Sequence, residues 1–220
     1  MSGVRLIAVS RPVTNDIPDS SALLAFCARV SSTANQMNHA TGGKLLRSLV
    51  TRREWSPLEM VSLTMEIETT RDIARQILRH RSFSFQEFSQ RYAKVDDEVV
   101  LREARLQDHK DRQNSIEVED ESLDIFWRGA QQELAALAFD TYQIALERGM
   151  AKEVARAILP EGMTPSRLYM AGTLRSWIHY IGLRADRKTQ KEHRAIAEQC
   201  RDILCEQFPD LADVITGEIA

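Results

Sequence analysis

The sequence contains no apolar run approaching the roughly 20 residues that span a bilayer, which argues against a membrane role. Its 3 cysteines, Cys27, Cys200 and Cys205, are odd in number and lack metal-ligand spacing. Neither a disulfide framework nor a metal site is expected, and the thiols read as small core residues of a reduced, cytoplasmic protein. Charge of one sign is missing too. Lys and Arg number 29 against 32 Asp and Glu, so a net charge of -3 supplies no field that would steer the molecule onto a nucleic acid. Neither G-x-G-x-x-G nor G-x-x-x-x-G-K-[ST] occurs, which leaves Rossmann and P-loop cofactor cradles unsupported. No internal repeat or low-complexity segment is present.

What remains is an ordinary globular composition, 43% hydrophobic and 28% charged over 220 residues, long enough for one domain spanning 1–220. Val4 to Ser10 is interrupted by Arg5 and lacks a cleavage pattern, so it reads as a first strand rather than a leader. Ser20 or Ser21 can cap a helix through Val30, and a second helix is expected from Lys44 through Val50. Met60 to Glu68 alternates strictly, with Val61, Leu63, Met65 and Ile67 on one face, which predicts a half-buried strand. Thr69-Thr70-Arg71-Asp72 has capping-box form ahead of a helix carrying Ile73, Ala74, Ile77 and Leu78 into Arg79.

From Asp96 to Glu121 the chain is mostly charged, with Val99 to Leu101 as one short strand, and reads as an exposed excursion and candidate lid. A long helix is expected over Ser122 to Arg148, on the stripe Ile125, Phe126, Leu134, Leu137, Ile144 and Ala145. A shorter one, Lys152 to Leu159, should stop at Pro160. Thr173 can cap a helix bearing Leu174, Trp177, Ile178 and Ile181, with Arg175, His179 and Gly182 on its other side. A last helix should reach about Gln207 with Ile196, Cys200, Ile203 and Leu204 inward. Strands that do not alternate regularly with helices predict an α+β fold, helices packed on a small mixed or antiparallel sheet.

The chemistry concentrates in Arg79 to Tyr92, which crowds cations, one acid, hydroxyls and aromatic rings. Successive helical residues diverge by about 100°, so Arg79, His80 and Arg81 must reach different groups unless the backbone turns. If Phe83 to Tyr92 is extended, Phe83, Phe85, Glu87, Ser89 and Arg91 share a face that would suit a phosphorylated heterocycle. If instead it is helical, Glu87 and Arg91 form an i,i+4 pair on a solvated surface.

Arg79-His80-Arg81, followed after seven residues by Ser89 and then Arg91-Tyr92, resembles the R-H-R-x7-S signature of the flavin-dependent thymidylate synthases, with the motif's acid at Glu87. Ala28 to Ser31, Ser56-Pro57-Leu58-Glu59, Ala74-Arg75-Gln76, Glu153 to Arg156 with Leu159-Pro160, and Leu183-Arg184 occur in the family's order. The likeness implies conversion of dUMP to dTMP, with methylenetetrahydrofolate as one-carbon donor, FAD as hydride relay and NADPH as reductant, in a homotetramer with shared sites. By matching position, Gln76, Arg79, Glu87, Phe88, Ser89, Gln90, Arg91, Arg156 and Arg184 would contact dUMP. Ser56, Arg79, His80, Arg81, Glu87, Arg175 and His179 would contact FAD.

Arg184 is the implied catalytic group, because a guanidinium stabilising negative charge on the pyrimidine would polarise C5. Taken alone it could simply complement a helix dipole, and Arg156 could pair with Glu153. No cysteine sits beside a base, and Ser89 has none evident, so an enzyme nucleophile is not expected. Glu54 and Met60 stand where family members commonly carry histidine, and Gln86 where asparagine is frequent. A related hydroxymethylation of dUMP would need the same sites. A single-stranded nucleic-acid platform is the alternative from another class.

Overall fold

The structure, a computed structural model, describes residues 3–95 and 99–217. Asp96 to Glu98, part of the expected excursion, lie outside the described residues, as do Met1 and Ser2 ahead of the expected first strand.

Strand β2 (Ser62–Thr70) organises the fold. Its alternation sends Leu63, Met65 and Ile67 into the core, each at most 1% exposed, as the pattern requires. It pairs antiparallel with β1 (Gly3–Val9) and with β6 (Pro165–Thr173), and β3 (Ser84–Glu87) closes the other edge on β6. The order β1-β2-β6-β3 is antiparallel throughout, so the sheet has no parallel pair. One face packs against α3 (Arg71–Ile77), α6 (Leu174–Arg184) and α7 (Lys191–Gln207), with Trp177, Tyr180, Leu168, Met170, Ile196 and Cys200 in a common cluster. The opposite face is polar. There Arg5 of β1 donates to Glu66 of β2 at 2.8 Å.

The remaining elements are α1 (Ser20–Ala28), α2 (Gly42–Thr51), the short strands β4 (Arg105–Gln107) and β5 (Ser115–Glu117), α4 (Glu121–Glu147), α5 (Lys152–Ala155) and α8 (Ala212–Ile215). Several boundaries differ from expectation for identifiable reasons. Asp19, not a serine, caps α1, accepting from the Ala22 N–H at 2.8 Å. Met60 is half out in solvent at the end of a 3-10 turn, which delays β2 to Ser62. Thr70 precedes α3 without capping it, because its hydroxyl is bonded to Asp72 and to Arg102 instead. Lys152 to Leu159 holds one α turn and then a 3-10 turn, since Arg156 to Ile158 tightens before Pro160.

The charged excursion is not wholly exposed. Val99 to Leu101 is not a strand; a hairpin of β4 and β5 forms instead, three residues per strand and too short and polar for a periodic signal. Arg102 reaches Asp72 at 2.8 Å and Glu192 at 3.0 Å, and Arg105 reaches Glu192 at 2.6 Å, which pins the described part of this segment to α3 and α7. Helix α4 has nearly the expected bounds but the opposite orientation. Ala135, Ala138, Phe139 and Tyr142 face a second small core with Val95, Leu159 and Met163. Of the stripe that signalled the helix, Ile125, Phe126, Leu134, Leu137 and Ile144 face outward, and Ala145 alone packs against this core.

Candidate active site

Helix α3 ends at Ile77 with Leu78 as its C-cap, so Arg79, His80 and Arg81 stand on the turn into β3 rather than on a helix. The turn separates them. Arg79 and Arg81 are exposed and have no hydrogen-bond or ion-pair partner among the described residues. His80 points inward, its ring edge-on to Tyr180 with centroids 5.0 Å apart. Its Nε2 accepts from Nε of Arg184, the last residue of α6, at 2.9 Å. Burial first, then the cations of Arg184 and Arg79, push the imidazole down to about 4, so it is neutral at physiological pH and can serve as that acceptor. Arg184 is therefore more than a cation complementing a helix dipole: its guanidinium is oriented by His80.

The turn is held from below by Phe83, whose ring lies edge-on to Trp177 at 4.9 Å. A Cβ at Gly172 of β6 would come within 2.4 Å of that ring, so only glycine lets the ring lie against the strand. On β3, Glu87 accepts from the Ser166 hydroxyl at 2.9 Å and faces Arg71 at 3.6 Å. The extended face stops there. Phe88 still donates its N–H to the Arg167 carbonyl at 2.8 Å, but the Tyr92 N–H returns to Ser89 at 3.0 Å in a turn. Arg91 consequently pairs with Glu153 at 2.8 Å and not with Glu87. With Glu153 so engaged, Arg156 has no partner among the described residues. Gln90 is 3% exposed, and its amide nitrogen has no acceptor among the described residues.

A further group gathers at the other side of α6. Ser56 opens a 3-10 turn, Ser56 to Glu59, and Glu59 is ion-paired with Arg175. His179 lies against the Trp55 ring at 4.4 Å, and burial, followed by the Arg175 charge, lowers its pKa. Glu54 is tied to Arg52 at 2.8 Å and Met60 is exposed, so the two departures from histidine leave an acid–guanidinium pair and a thioether beside this group.

Gln76 is bonded to Gln190 at 2.8 Å and lies 3.3 Å from Nδ1 of His193. Sequence reasoning missed His193, Tyr180, Gln190 and Arg71. For His193 a signal existed: it stands on the stripe His193, Ile196, Ala197, Cys200 and Leu204, a polar residue on an otherwise apolar face. The structure thus joins His80 to Arg184, Glu87 to Ser166 and Arg175 to Glu59. No hydrogen bond or ion pair among the described residues links Arg91 or Arg156 to Arg184.

The predicted site residues gathered on the antiparallel sheet and its helices are mainly cations and carboxamides, with one acid, Glu87. Phe83 packs inward on Trp177 instead of offering a stacking surface, which disfavours the nucleic-acid platform. The family described as "Thymidylate synthase complementing protein" matches residues 12–210. A "Probable flavin-dependent thymidylate synthase" of Paramecium bursaria Chlorella virus 1 is 45% identical over 96% of this chain and 97% of its own. A "Flavin-dependent thymidylate synthase" of a Synechocystis species is 47% identical over 95% of this chain and 97% of its own. Among solved structures, the UMP/dUMP methylase PolB of Streptomyces cacaoi bound with 5-Br dUMP is similar with a TM-score of 0.84 and 27% identity, covering 99% of this chain and 95% of that one. The chain belongs to the flavin-dependent thymidylate synthase family.

Proposed function

We propose that this protein is a flavin-dependent thymidylate synthase, a methyltransferase that converts dUMP to dTMP with methylenetetrahydrofolate as one-carbon donor and FAD reduced by NADPH. The carrying observation is the identity of 45% and 47% to so-named relatives over almost the whole chain.

The residues present fit a flavin and a nucleotide. Among the described residues Arg79, Arg81 and Arg156 are cations without acceptors, Gln90 buries an amide nitrogen without one, and Trp55 with His179 offers ring surface. Buried donors left unmatched in the protein are costly and point to ligand acceptors. Ser56, Arg79, His80, Arg81, Glu87, Arg175 and His179 would hold FAD, which when bound supplies hydride transfer to the one-carbon unit. Gln76, Arg79, Glu87, Phe88, Ser89, Gln90, Arg91, Arg156 and Arg184 would hold dUMP.

Arg184 carries the catalytic role. Neutral His80 fixes its Nε, leaving the terminal nitrogens to face the pyrimidine, where they stabilise negative charge and enrich C5. Arg156 takes phosphate, and Glu87, aligned by Ser166, accepts from ligand donors. The exposed stripe of α4 supports assembly as a homotetramer, since an apolar face of this kind marks a contact between chains.

The test is the visible spectrum of the purified protein followed by turnover. A flavin spectrum, native or after reconstitution with FAD, and dTMP formed from dUMP, methylenetetrahydrofolate and NADPH are expected. Colourless protein that cannot be reconstituted overturns the reading, and hydroxymethyl-dUMP as product would redefine the reaction.

A further inference from the structure

Five side chains beside the His80–Arg184 pair form one hydrogen-bonded file. Glu192 Oε2 lies 3.0 Å from Gln190 Nε2, Gln190 Oε1 lies 2.8 Å from Gln76 Nε2, Gln76 Oε1 lies 3.3 Å from His193 Nδ1, and His193 Nε2 lies 3.1 Å from the Tyr180 hydroxyl. An amide can point either way and an imidazole can carry its proton on either nitrogen, so a file of this sort has two possible polarities. One end removes the choice. Glu192 is clamped by Arg102 at 3.0 Å and Arg105 at 2.6 Å, which keeps it ionised, and an ionised carboxylate only accepts. Gln190 must then turn its NH2 to Glu192 and its oxygen to Gln76. Gln76 must donate to Gln190 and turn its own oxygen to His193. His193 must carry its proton on Nδ1 and accept from Tyr180 on Nε2.

We propose that Glu192 fixes the polarity of this file through Gln190 and His193, so that Gln76 is held with its remaining amide N–H as a donor toward the substrate and the site takes a pyrimidine that offers a carbonyl oxygen there. The proposal rests on the reading of Gln76 as a nucleotide contact, and assigns His193, Gln190 and Glu192 as positioning residues. His193 is completely buried, and burial, then the Arg184 cation, push it down to about 3, so the neutral ring that the file requires persists across the working pH range. With the Gln76 N–H on the C4 side of the base, uracil offers it a carbonyl oxygen, whereas cytosine, which keeps only the C2 carbonyl, would set an amino group head-on against the donor. Discrimination of this type is strong because a mismatched partner leaves buried polar groups unpaired.

Two measurements test it. In the nitrogen NMR spectrum of protein labelled at histidine, without substrate, His193 should be the Nδ1–H tautomer, neutral down to pH 5; an Nε2–H tautomer or a charged ring overturns the polarity. In the same holoprotein, H193F should weaken dUMP binding about tenfold and narrow the preference for dUMP over dCMP by a similar factor, while the flavin spectrum is retained. H193N, which keeps a donor near the Nδ1 position, should recover most of the loss. An H193F protein with unchanged dUMP and dCMP affinities overturns the proposal. The tautomer is read on wild-type protein, so the test survives if H193F does not fold. Wild-type protein that shows the expected tautomer but binds no pyrimidine nucleotide would instead sink the reading of Gln76 as a nucleotide contact.

Discussion

Helices α6 and α4 announce themselves in the sequence by the same apolar periodicity, and they use it in opposite ways. On α6 the stripe Leu174, Trp177, Ile178 and Ile181 is buried against the sheet. On α4 the stripe runs along the outside, with Leu137 67% exposed, while alanines, Phe139 and Tyr142 face the protein. Periodicity identifies which residues share a face but not what covers the face. Burial of a large apolar side chain contributes about 1.5–3 kcal/mol wherever it occurs, and the stripe left in water on this 27-residue helix forgoes that contribution within the chain, which makes it the face on which the proposed assembly is tested.

The sharpest way to break this contrast is truncation on each side. Trp177→Ala should cost about 3–5 kcal/mol in denaturant unfolding, because it empties a fully buried site and loses the indole bond to the Leu63 carbonyl. A loss under about 1 kcal/mol would deny α6 its place in the core. At the far end of the same helix, Arg184→Ala should leave folding and the flavin spectrum intact and lower kcat about 10²–10³-fold, the usual scale for one electrostatic donor. Unchanged turnover would remove Arg184 from the catalytic role.

Leu137→Asp addresses the other helix. Sedimentation should show the assembly falling to smaller species, with the separated chain's own stability changed by no more than about 0.5 kcal/mol. An unaltered assembly would leave α4 uncovered and the proposed tetramer without its interface.

Titration gives a smaller effect. His80 and His193 are held at about 4 and about 3, below the roughly 6.5 of an unfolded histidine. The unfolded chain therefore binds more protons below pH 6.5, and the stability present above that pH is lost as pH falls toward 4. The urea midpoint should drop between pH 7 and pH 5, and H80Q should flatten part of that slope; a pH-independent midpoint would show that both rings titrate normally. Least of all, the caps compare the two helix starts. Thr173→Ala and Asp120→Ala each remove a side-chain acceptor for the first turn and should cost about 1 kcal/mol in thermal unfolding. A much smaller loss at Asp120 would mark that end of α4 as frayed.

The contrast also explains what could be read from the sequence. Strand β2 and helix α6 were legible because their periodic side chains meet the same core, and the position of Arg79 to Arg81 followed from where the α3 stripe ended. Hairpin β4–β5 was not, because three-residue polar strands carry no period and are held by Arg102 and Arg105 reaching Glu192 across a separation that no local window contains. The site divides likewise. Arg79, Arg81 and Arg91 belong to one contiguous motif and were found through it, whereas Glu87's bond to Ser166 and His193's to Gln76 join residues 79 and 117 positions apart. The reading of Glu87 and Arg91 as a helical pair failed because β3 is extended and the chain then turns, sending Arg91 to Glu153.

Gly172 carries a consequence for how ligands are met. With no side chain there, Phe83 clasps β6 and anchors the turn bearing Arg79 to Arg81 before any ligand arrives. For the ligand contacts proposed at Arg79 to Arg81, such a bracket leaves little freedom to lose, so binding should resemble seating in a finished mould rather than the folding of a loose arm around its guest. The entropy is surrendered once, when the chain folds, and each catalytic cycle thereafter reuses it.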